Sequence, residues 1–412
     1  MSSSYAPDLR PVGEGAPGAV TNGARQLDAL TGLRFVAAML VVFYHFGMIA
    51  LPPSGVPAWL LNLGSHGALG VPLFFVLSGF ILTHRYLRPT SGPLEKQAFW
   101  VARFSRVYPL FLVSLLVQAP LYVIEQLQKY SPAETLGLTV GTGLLMVSTL
   151  HVWFVRTEQI WNAPAWSLSA EMFYYAVFPV VSVLATMRSA RAGWAIVVAC
   201  WLLAVAAPMS VMGVSLTTLV YLPHFLLGIL VGRAFIRTGS TQHPTLGPLP
   251  LGPVLAAGAA SIILLATMLV TVEWTTRVLG TERVFLHLLV WPCGLLVYGL
   301  ALGGGPLAKL LASRPMLRLG EASYAVYILQ WPVWYWLQYM VRGERFMQPM
   351  TEMPTLAFFA GYVVILVGIS ILSYLAIERP ARQAIRRAYT ARQRQRQAAP
   401  VIEQQERIVP AE

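Results

Sequence analysis

Charged residues are scarce in this chain, in which Asp, Glu, Lys and Arg together make up only 11% of the 412 residues. A soluble domain carries about 25% of these residues, so the shortage excludes an ordinary soluble fold. Hydrophobic residues make up 56% of the chain, and its mean hydropathy is +0.62. This composition predicts an all-α bundle of transmembrane helices, because a helix satisfies its own backbone polar groups in lipid.

Cysteine is almost absent, since Cys200 and Cys293 are the only two and both lie in apolar runs. Two isolated thiols exclude a disulfide framework and offer no metal-ligand spacing, so we expect no metal site. The net charge of +12 would indicate nucleic acid as the partner of a soluble protein. Here membrane topology accounts for most of it, and we expect membrane lipids and no nucleic acid as partners.

Ten apolar runs are long enough to cross a bilayer as helices. A shorter run near 135–150 contains Gly137, Gly141 and Gly143, and we interpret it as re-entrant or interfacial rather than spanning. The ten runs cover residues 27–50, 67–87, 104–124, 165–187, 192–209, 216–236, 253–272, 283–302, 323–341 and 354–377.

The distribution of basic residues indicates the topology. With the N-terminus in the cytoplasm and 135–150 not spanning, 23 of the 29 basic residues fall on the cytoplasmic side and six fall outside. This is the bias that the positive-inside rule requires. We therefore predict a multi-pass protein of the inner or plasma membrane with both termini in the cytoplasm.

The two ends of the chain differ in composition from the middle. Residues 1–26 are rich in Gly, Pro, Ala and Ser without an apolar run, which predicts a disordered cytoplasmic leader. Residues 379–412 are polar and rich in arginine, which predicts a basic cytoplasmic tail, helical along the membrane surface at first and then disordered. The transmembrane domain is then expected at residues 27–378.

The first run carries two ionisable residues, Arg34 and His45, in an otherwise apolar helix. Eleven residues make nearly three helical turns, so both side chains share a face and lie about 16 Å apart along the axis. Ionisable groups in hydrocarbon are costly and therefore indicate function, although Arg34 could also extend to the lipid headgroups. His224 and His287 also lie in apolar runs, where lone histidines are more often structural.

Arg103 and Arg106 lie three residues apart, and so on one helical face, where the third run leaves the cytoplasm. Two adjacent guanidinium groups repel each other unless an anion lies between them, and their planar geometry suits phosphate. The alternative is ordinary cytoplasmic anchoring, which applies to any juxtamembrane pair of arginines.

The fourth run opens with Trp166, Ser167, Glu171 and Tyr174, and the last three share one helical face. Glu171 is an isolated carboxylate that enters the membrane from the outer side, toward which His45 points. A carboxylate beside a buried imidazole would hold its tautomer and stabilise the imidazolium form. The alternative is a helix cap, in which Ser167 and Glu171 satisfy the first turn.

These segments, in this order, resemble the acyltransferase type 3 family of integral membrane O-acyltransferases. Each segment is weak alone, but the ordered set is specific and covers the chain from about residue 27 to residue 382. The matching stretches are LDALTGLRFVAAMLVVFYHF, GVPLFFVLSGFILTHRYLR, FWVARFSRVYPLFL, WSLSAEMFYYAVFP, LPHFLLGIL, LGEASYAVYILQWPVW and YLAIERPAR.

The resemblance implies a reaction and the residues that carry it. The donor would be a cytoplasmic acyl-coenzyme A, most simply acetyl-coenzyme A, bound as a substrate with no tightly held cofactor. The acceptor would be a hydroxyl of a carbohydrate-containing molecule, such as a cell-envelope glycan, an exported glycan or the sugar of a natural product. The expected catalytic residues are His45, Glu171 and Arg34. Arg103 and Arg106 are expected to bind the donor, and Trp166, Ser167 and Tyr174 are expected to bind the acceptor.

The chain departs from the family pattern at two positions. Pro72 stands where many members have an acidic residue, and Gln330 stands where many have a histidine before the late Trp-Pro pair. The second departure argues against a catalytic role for the late segment. A transporter or flippase of glycans or lipids is the alternative to an enzyme, although no inverted repeat with matched broken helices is apparent in the sequence.

Overall fold

The computed structural model describes residues 22–50, 56–89, 91–238, 245–246, 249–343 and 356–406, and within these ranges the chain is almost entirely helical. The α-helices are α1 Asn22–Val42, α2 Met48–Ala50, α3 Ala58–Ser65, α4 Gly70–Tyr86, α5 Lys96–Leu127, α6 Pro132–Val147, α7 Ala165–Val181, α8 Val183–Thr186, α9 Ala190–Ala206, α10 Thr217–Thr238, α11 Leu251–Leu269, α12 Val272–Leu279, α13 Glu282–Leu302, α14 Gly305–Leu311, α15 Arg314–Glu321, α16 Ser323–Arg342, α17 Leu356–Ser373 and α18 Arg379–Glu406.

Short irregular segments connect or extend these helices. In the described ranges, Phe43–Gly47 and Tyr374–Glu378 are π-helical, and Gly67–Leu69 and His151–Trp153 are 3₁₀-helical. Two small antiparallel hairpins lie in loops: β1 Ser210–Val211 with β2 Val214–Ser215, and β3 Thr245–Leu246 with β4 Leu249–Pro250. The predicted all-α fold is confirmed.

All ten predicted spans are helical. Eight helical stretches of the described chain are long and apolar enough to cross a membrane. The other two predicted spans are α9, which is apolar but has only 17 residues, and α16, which has 20 residues and is less apolar. The eight stretches are Leu27–Gly47, Ala58–Tyr86, Lys96–Leu127, Ala165–Thr186, Thr217–Thr238, Leu251–Leu269, Glu282–Leu302 and Leu356–Gln395.

The eleventh, shorter run forms the separate helix α6. Ser131 and Glu134 begin it with a capping box, in which each side chain bonds to the other residue's backbone N–H. Its 16 residues extend about 24 Å, less than the roughly 30 Å of a hydrocarbon core. The length agrees with our interpretation of this segment as one that does not span.

The helices extend into both predicted terminal segments. α1 begins at Asn22, five residues before the predicted start of the transmembrane domain, because Ala24, Arg25 and Gln26 favour helix. At the other end α18 runs from Arg379 to Glu406, so the predicted helical start of the tail extends over most of it. The remainder of both predictions, residues 1–21 and 407–412, lies outside the described residues.

The buried centre of the bundle consists of α4, α10 and α13, while α11 and α17 expose most of their surface. Helix α1 packs against α4, α13 and α16, and α16 in turn packs against α5 and α17. This arrangement places the middle of α1, which carries Arg34, and the π-helical segment after it, which carries His45, against neighbouring helices instead of lipid.

Two glycines set the close contact between α4 and α10. A Cβ atom on Gly79 would overlap the carbonyl oxygen of Phe225, and a Cβ atom on Gly228 would overlap that of Val76. Small residues at a helix interface let two backbones approach, and the resulting van der Waals packing drives helix association in membranes.

We expect Gly228→Ala to lower stability by about 1–3 kcal/mol, because the added methyl group must push α4 and α10 apart. The midpoint of thermal unfolding of the purified protein in detergent measures this loss. Gly368→Ala is the matched control, since nothing lies within 4 Å of a Cβ atom at that helical position. Equal midpoints for the two variants would contradict the assigned contact.

Candidate functional site

His45 lies in the π-helical segment Phe43–Gly47 that follows α1. Its half-buried ring makes an edge-to-face contact with Trp331, at 5.6 Å between ring centroids, and a tilted contact with Phe46 at 5.9 Å. π-Helical turns are frequently found at functional sites. The ring therefore faces α16 inside the bundle and is held there by aromatic neighbours.

Gln330 of α16 is the hydrogen-bond partner of His45. The side-chain Nε2 of Gln330 donates to the backbone oxygen of Tyr327 at 2.7 Å, and its Oε1 lies 3.0 Å from Nδ1 of His45. A carbonyl oxygen can only accept, so Nδ1 of His45 carries the proton. The neutral ring then keeps its lone pair on Nε2, the nitrogen that can accept a proton from a bound molecule.

Sequence reasoning set Gln330 aside, yet the structure places it directly beside His45. Gln330 is fully buried, and the hydroxyl of Tyr362 donates to its backbone oxygen at 3.0 Å. A buried amide on a membrane helix needs partners and is therefore informative. The presence of Gln330 within the apolar stretch Tyr327–Trp334 was a signal that could have identified it.

The expected contact between Glu171 and His45 is wrong. Oε1 of Glu171 instead accepts hydrogen bonds from Oγ of Ser78, at 2.8 Å, and from the hydroxyl of Tyr175. Glu171 also interacts electrostatically with Arg34. The carboxylate thus interacts electrostatically with the arginine of the Arg34–His45 pair, and the described residues show no interaction of Glu171 with His45.

The depth of α7 in the bundle explains this difference. Ser167, near the start of α7, lies 2.6 Å from the hydroxyl of Tyr327, three residues before Gln330 on α16. Glu171 follows one helical turn later, about 5.4 Å further along the axis and away from this layer. Ser167 is therefore a polar side chain of α7 that contacts Tyr327, the residue whose backbone oxygen accepts from Gln330, the partner of His45.

Trp166 and Tyr174 have different surroundings. Trp166 is half-buried, and its ring lies 5.3 Å from that of Tyr221. Tyr174 is fully buried, stacks on Phe225, and donates its hydroxyl to the backbone oxygen of Thr218 at 2.8 Å. Because this hydroxyl is already used and its ring is enclosed, Tyr174 packs the core, and its position gives no support to the predicted acceptor role.

Arginines from four parts of the chain converge toward one end of the bundle. Arg103 is buried, donates to the hydroxyl of Tyr86 at 3.4 Å, and lies over the rings of Tyr86 and Tyr175. We refer to these residues as the arginine cluster, which comprises Arg34, Arg85, Arg103, Arg106, Arg382 and Arg386. Each interacts electrostatically with at least one other residue of the cluster.

The arginine cluster is poorly neutralised by protein groups. Glu171 and the buried Glu378 interact electrostatically with its arginines, but among the described residues neither forms a salt bridge with any of the six. The buried Nε atoms of Arg103 and Arg386 have no hydrogen-bond partner in the part of the chain that the structure describes. Buried charges without partners are costly, so this arrangement favours binding of an anion with several charges.

His224 and His287, which seemed isolated in the sequence, are partners of each other. Nε2 of His224 lies 2.6 Å from Nδ1 of His287, across the contact of α10 with α13. Both rings are fully buried and pack on Tyr221. The pair therefore joins two helices of the core, in agreement with the structural interpretation.

Comparison with known proteins gives consistent results. Residues 27–375 match the family model described as an acyltransferase domain. Acyltransferase MdmB of Streptomyces mycarofaciens is 27% identical over 341 residues, which cover 77% of this chain and 82% of that protein. Protein 2 in the picA locus of Rhizobium radiobacter is 30% identical over 174 residues, or 39% of this chain and 84% of that protein.

A protein of Staphylococcus aureus (strain COL), provisionally named an O-acetyltransferase, is 28% identical over 169 residues, or 39% of this chain and 25% of its own length. No solved structure matches the chain. The family match covers α1 to α17, including Arg34, His45, Arg103, Arg106 and Glu171. The chain is therefore a multi-pass membrane enzyme that transfers acyl groups, and it belongs to the acyltransferase type 3 family.

Proposed function

We propose that this enzyme transfers an acetyl group from acetyl-coenzyme A to a hydroxyl of a carbohydrate-containing acceptor. The observation that carries the proposal is the hydrogen bond from Nδ1 of His45 to Gln330, which leaves Nε2 as an available base. The provisional name of the S. aureus relative supports O-acetylation as the reaction. The arginine cluster supports a donor that carries several phosphate groups.

His45 acts as the general base in this reaction. Its Nε2 takes the proton of the acceptor hydroxyl while the hydroxyl oxygen attacks the thioester carbonyl carbon. The bond from carbon to sulfur then breaks, and the leaving thiolate takes the proton from the imidazolium. The products are the O-acetyl ester and free coenzyme A. A two-step route, in which Nε2 first accepts the acetyl group itself, uses the same nitrogen.

Gln330 and Trp331 position the base. The amide oxygen fixes the tautomer, and the edge-to-face contact with Trp331 fixes the plane of the ring. Gln330 is neutral, so unlike a carboxylate it does not stabilise the imidazolium by its charge. Ser167, which contacts the hydroxyl of Tyr327, and the adjacent Trp166, which packs on Tyr221, are the residues of α7 that we assign to the acceptor.

The donor enters from the cytoplasmic side, where coenzyme A is found, and the arginine cluster lies at that side. The positive-inside bias of the loops supports this orientation, with both termini in the cytoplasm. Arg103 and Arg106 bind the phosphates, while Arg34, beside Glu171, lies on the same helix as His45. The slender acyl-pantetheine arm of the donor then extends along α1 toward His45. About 16 Å of helix lies between Arg34 and His45.

We expect His45→Ala to reduce acetyl transfer by at least about 100-fold, because general-base catalysis contributes roughly 10²–10⁴-fold. Mass spectrometry of O-acetyl groups on envelope glycans and glycosylated metabolites measures the effect. Cells that express the variant are compared with cells that express the wild type. Coenzyme A binding and the unfolding midpoint of the variant serve as controls and should stay at wild-type values. Wild-type acetylation in this variant would end the proposed mechanism.

We expect Gln330→Met, which removes the acceptor for Nδ1, to lower kcat by about 10–100-fold, since one such hydrogen bond is worth roughly 1.5–3 kcal/mol. Gln330→Glu keeps an acceptor oxygen at this position and should retain more activity than Gln330→Met. Initial rates with labelled acetyl-coenzyme A test this order, with KM for the donor unchanged in both variants. Equal rates for the two variants would show that the tautomer of His45 does not depend on this contact.

We expect the double variant Arg103→Gln, Arg106→Gln to raise the Kd for coenzyme A about tenfold or more, through loss of charge-assisted hydrogen bonds to phosphate. Isothermal titration of the purified protein measures the change. Arg318→Gln is the control, because Arg318 is exposed on α15. If both proteins bound coenzyme A equally well, the phosphate assignment would be wrong.

A further inference from the structure

Helix α18 packs along α5 at the end where α5 carries Arg103 and Arg106. The hydroxyl of Tyr389 donates to Oε1 of Glu95 at 3.1 Å, and Nε2 of Gln393 donates to Oε1 of Gln97 at 3.3 Å. These contacts hold the polar C-terminal helix against the start of α5. The tail that the sequence presents as a simple basic extension is therefore part of the folded bundle.

Arg386 is the member of the arginine cluster that α18 brings toward arginines of other helices. Its side chain is half-buried, and its buried Nε atom has no hydrogen-bond partner among the described residues. It interacts electrostatically with Arg103 of α5 and Arg85 of α4, and with Arg382 one turn away on α18 itself. The packing of α18 has thus brought Arg386 toward two arginines of other helices, whereas the neighbouring Arg387 is exposed.

Such an arrangement is unfavourable unless an anion completes it. Like charges in a partly buried site repel each other, and an unpartnered Nε–H loses its hydrogen bonds to water. Arg103, which Arg386 approaches, has the same unpartnered Nε atom. Two arginines from α5 and α18 therefore offer unused donors in one place, and guanidinium groups in this arrangement suit a phosphate group.

We propose that Arg386 is a phosphate-binding residue of the donor site and that α18 forms one wall of that site. The inference rests on the proposed function, since it takes coenzyme A as the ligand. It goes beyond the family match, which ends at residue 375 and therefore includes neither α18 nor Arg386. The C-terminal helix then binds the nucleotide end of the donor while α1 presents His45 to the thioester end.

The test compares Arg386→Gln with the matched control Arg387→Gln in full-length purified protein, using titration with coenzyme A, dephospho-coenzyme A and pantetheine. We expect Arg386→Gln to bind coenzyme A about tenfold or more weakly, as for the loss of one charge-assisted hydrogen bond. Pantetheine has no phosphate, so its affinity should not change. Arg387→Gln should match the wild type with all three ligands, and Arg386→Lys should recover part of the affinity.

The dephospho-coenzyme A titration locates the contact. If the defect of Arg386→Gln persists with this ligand, Arg386 binds the diphosphate, and if it disappears, Arg386 binds the 3′-phosphate. Both results support the proposal. Wild-type affinity for coenzyme A in Arg386→Gln would overturn it, as would an equal loss with pantetheine, which would indicate a general disturbance of the fold.

The phosphate could also belong to a lipid headgroup, and the membrane composition separates the two sources. The titrations are repeated in nanodiscs of phosphatidylcholine alone and in nanodiscs that also contain phosphatidylglycerol. A defect present in both membranes supports binding of the donor, whereas a defect seen only with phosphatidylglycerol assigns Arg386 to lipid and overturns the proposal. Failure of the wild-type protein to bind coenzyme A at all would instead refute the donor of the proposed function.

Discussion

The imbalance of charge in the arginine cluster is the constraint on which the arrangement of this protein depends. Six guanidinium groups lie among two carboxylates at one end of an apolar bundle. They come from α1, α4, α5 and α18, so residues more than 300 positions apart in the chain must meet there. Since burial of unpaired charge is costly, a site of this kind is retained where binding of an anion compensates for the cost.

The polar groups around His45 are neutral, in contrast to the charged groups of the arginine cluster. His45, Gln330, Tyr327 and Ser167 form a chain of neutral hydrogen-bonding groups, without a carboxylate at the imidazole. Each buried donor in such a chain needs an acceptor, and that requirement determines which nitrogen of His45 bears the proton. The Arg34 end of the first membrane span, Leu27–Gly47, therefore carries unbalanced positive charge, whereas its His45 end carries neutral hydrogen-bonding groups.

The chain belongs to the acyltransferase type 3 family. Under the proposed function, the arginine cluster binds the acyl donor and His45 is the base for the acceptor, so both regions would serve one reaction. The transporter alternative has lost its main support, because the buried charges that favoured it now belong to a chain shown to be an acyltransferase. The identity of the acceptor depends on contacts that the acceptor itself would make with residues such as Ser167 and Trp166.

The sequence alone determined the class of fold and the ten helical runs, because apolar length and the rarity of charge are local properties. The roles of Arg34, His45, Arg103 and Arg106 stay predictions. The sequence could not assign Gln330 to His45 or Glu171 to Arg34. These pairings depend on the relative depth of α7 and α16, and a shift of one turn exchanges one partner for another. Likewise only the tertiary structure decided that Arg386 lies beside Arg103, since helical propensity extends α18 but does not specify the helix against which it packs.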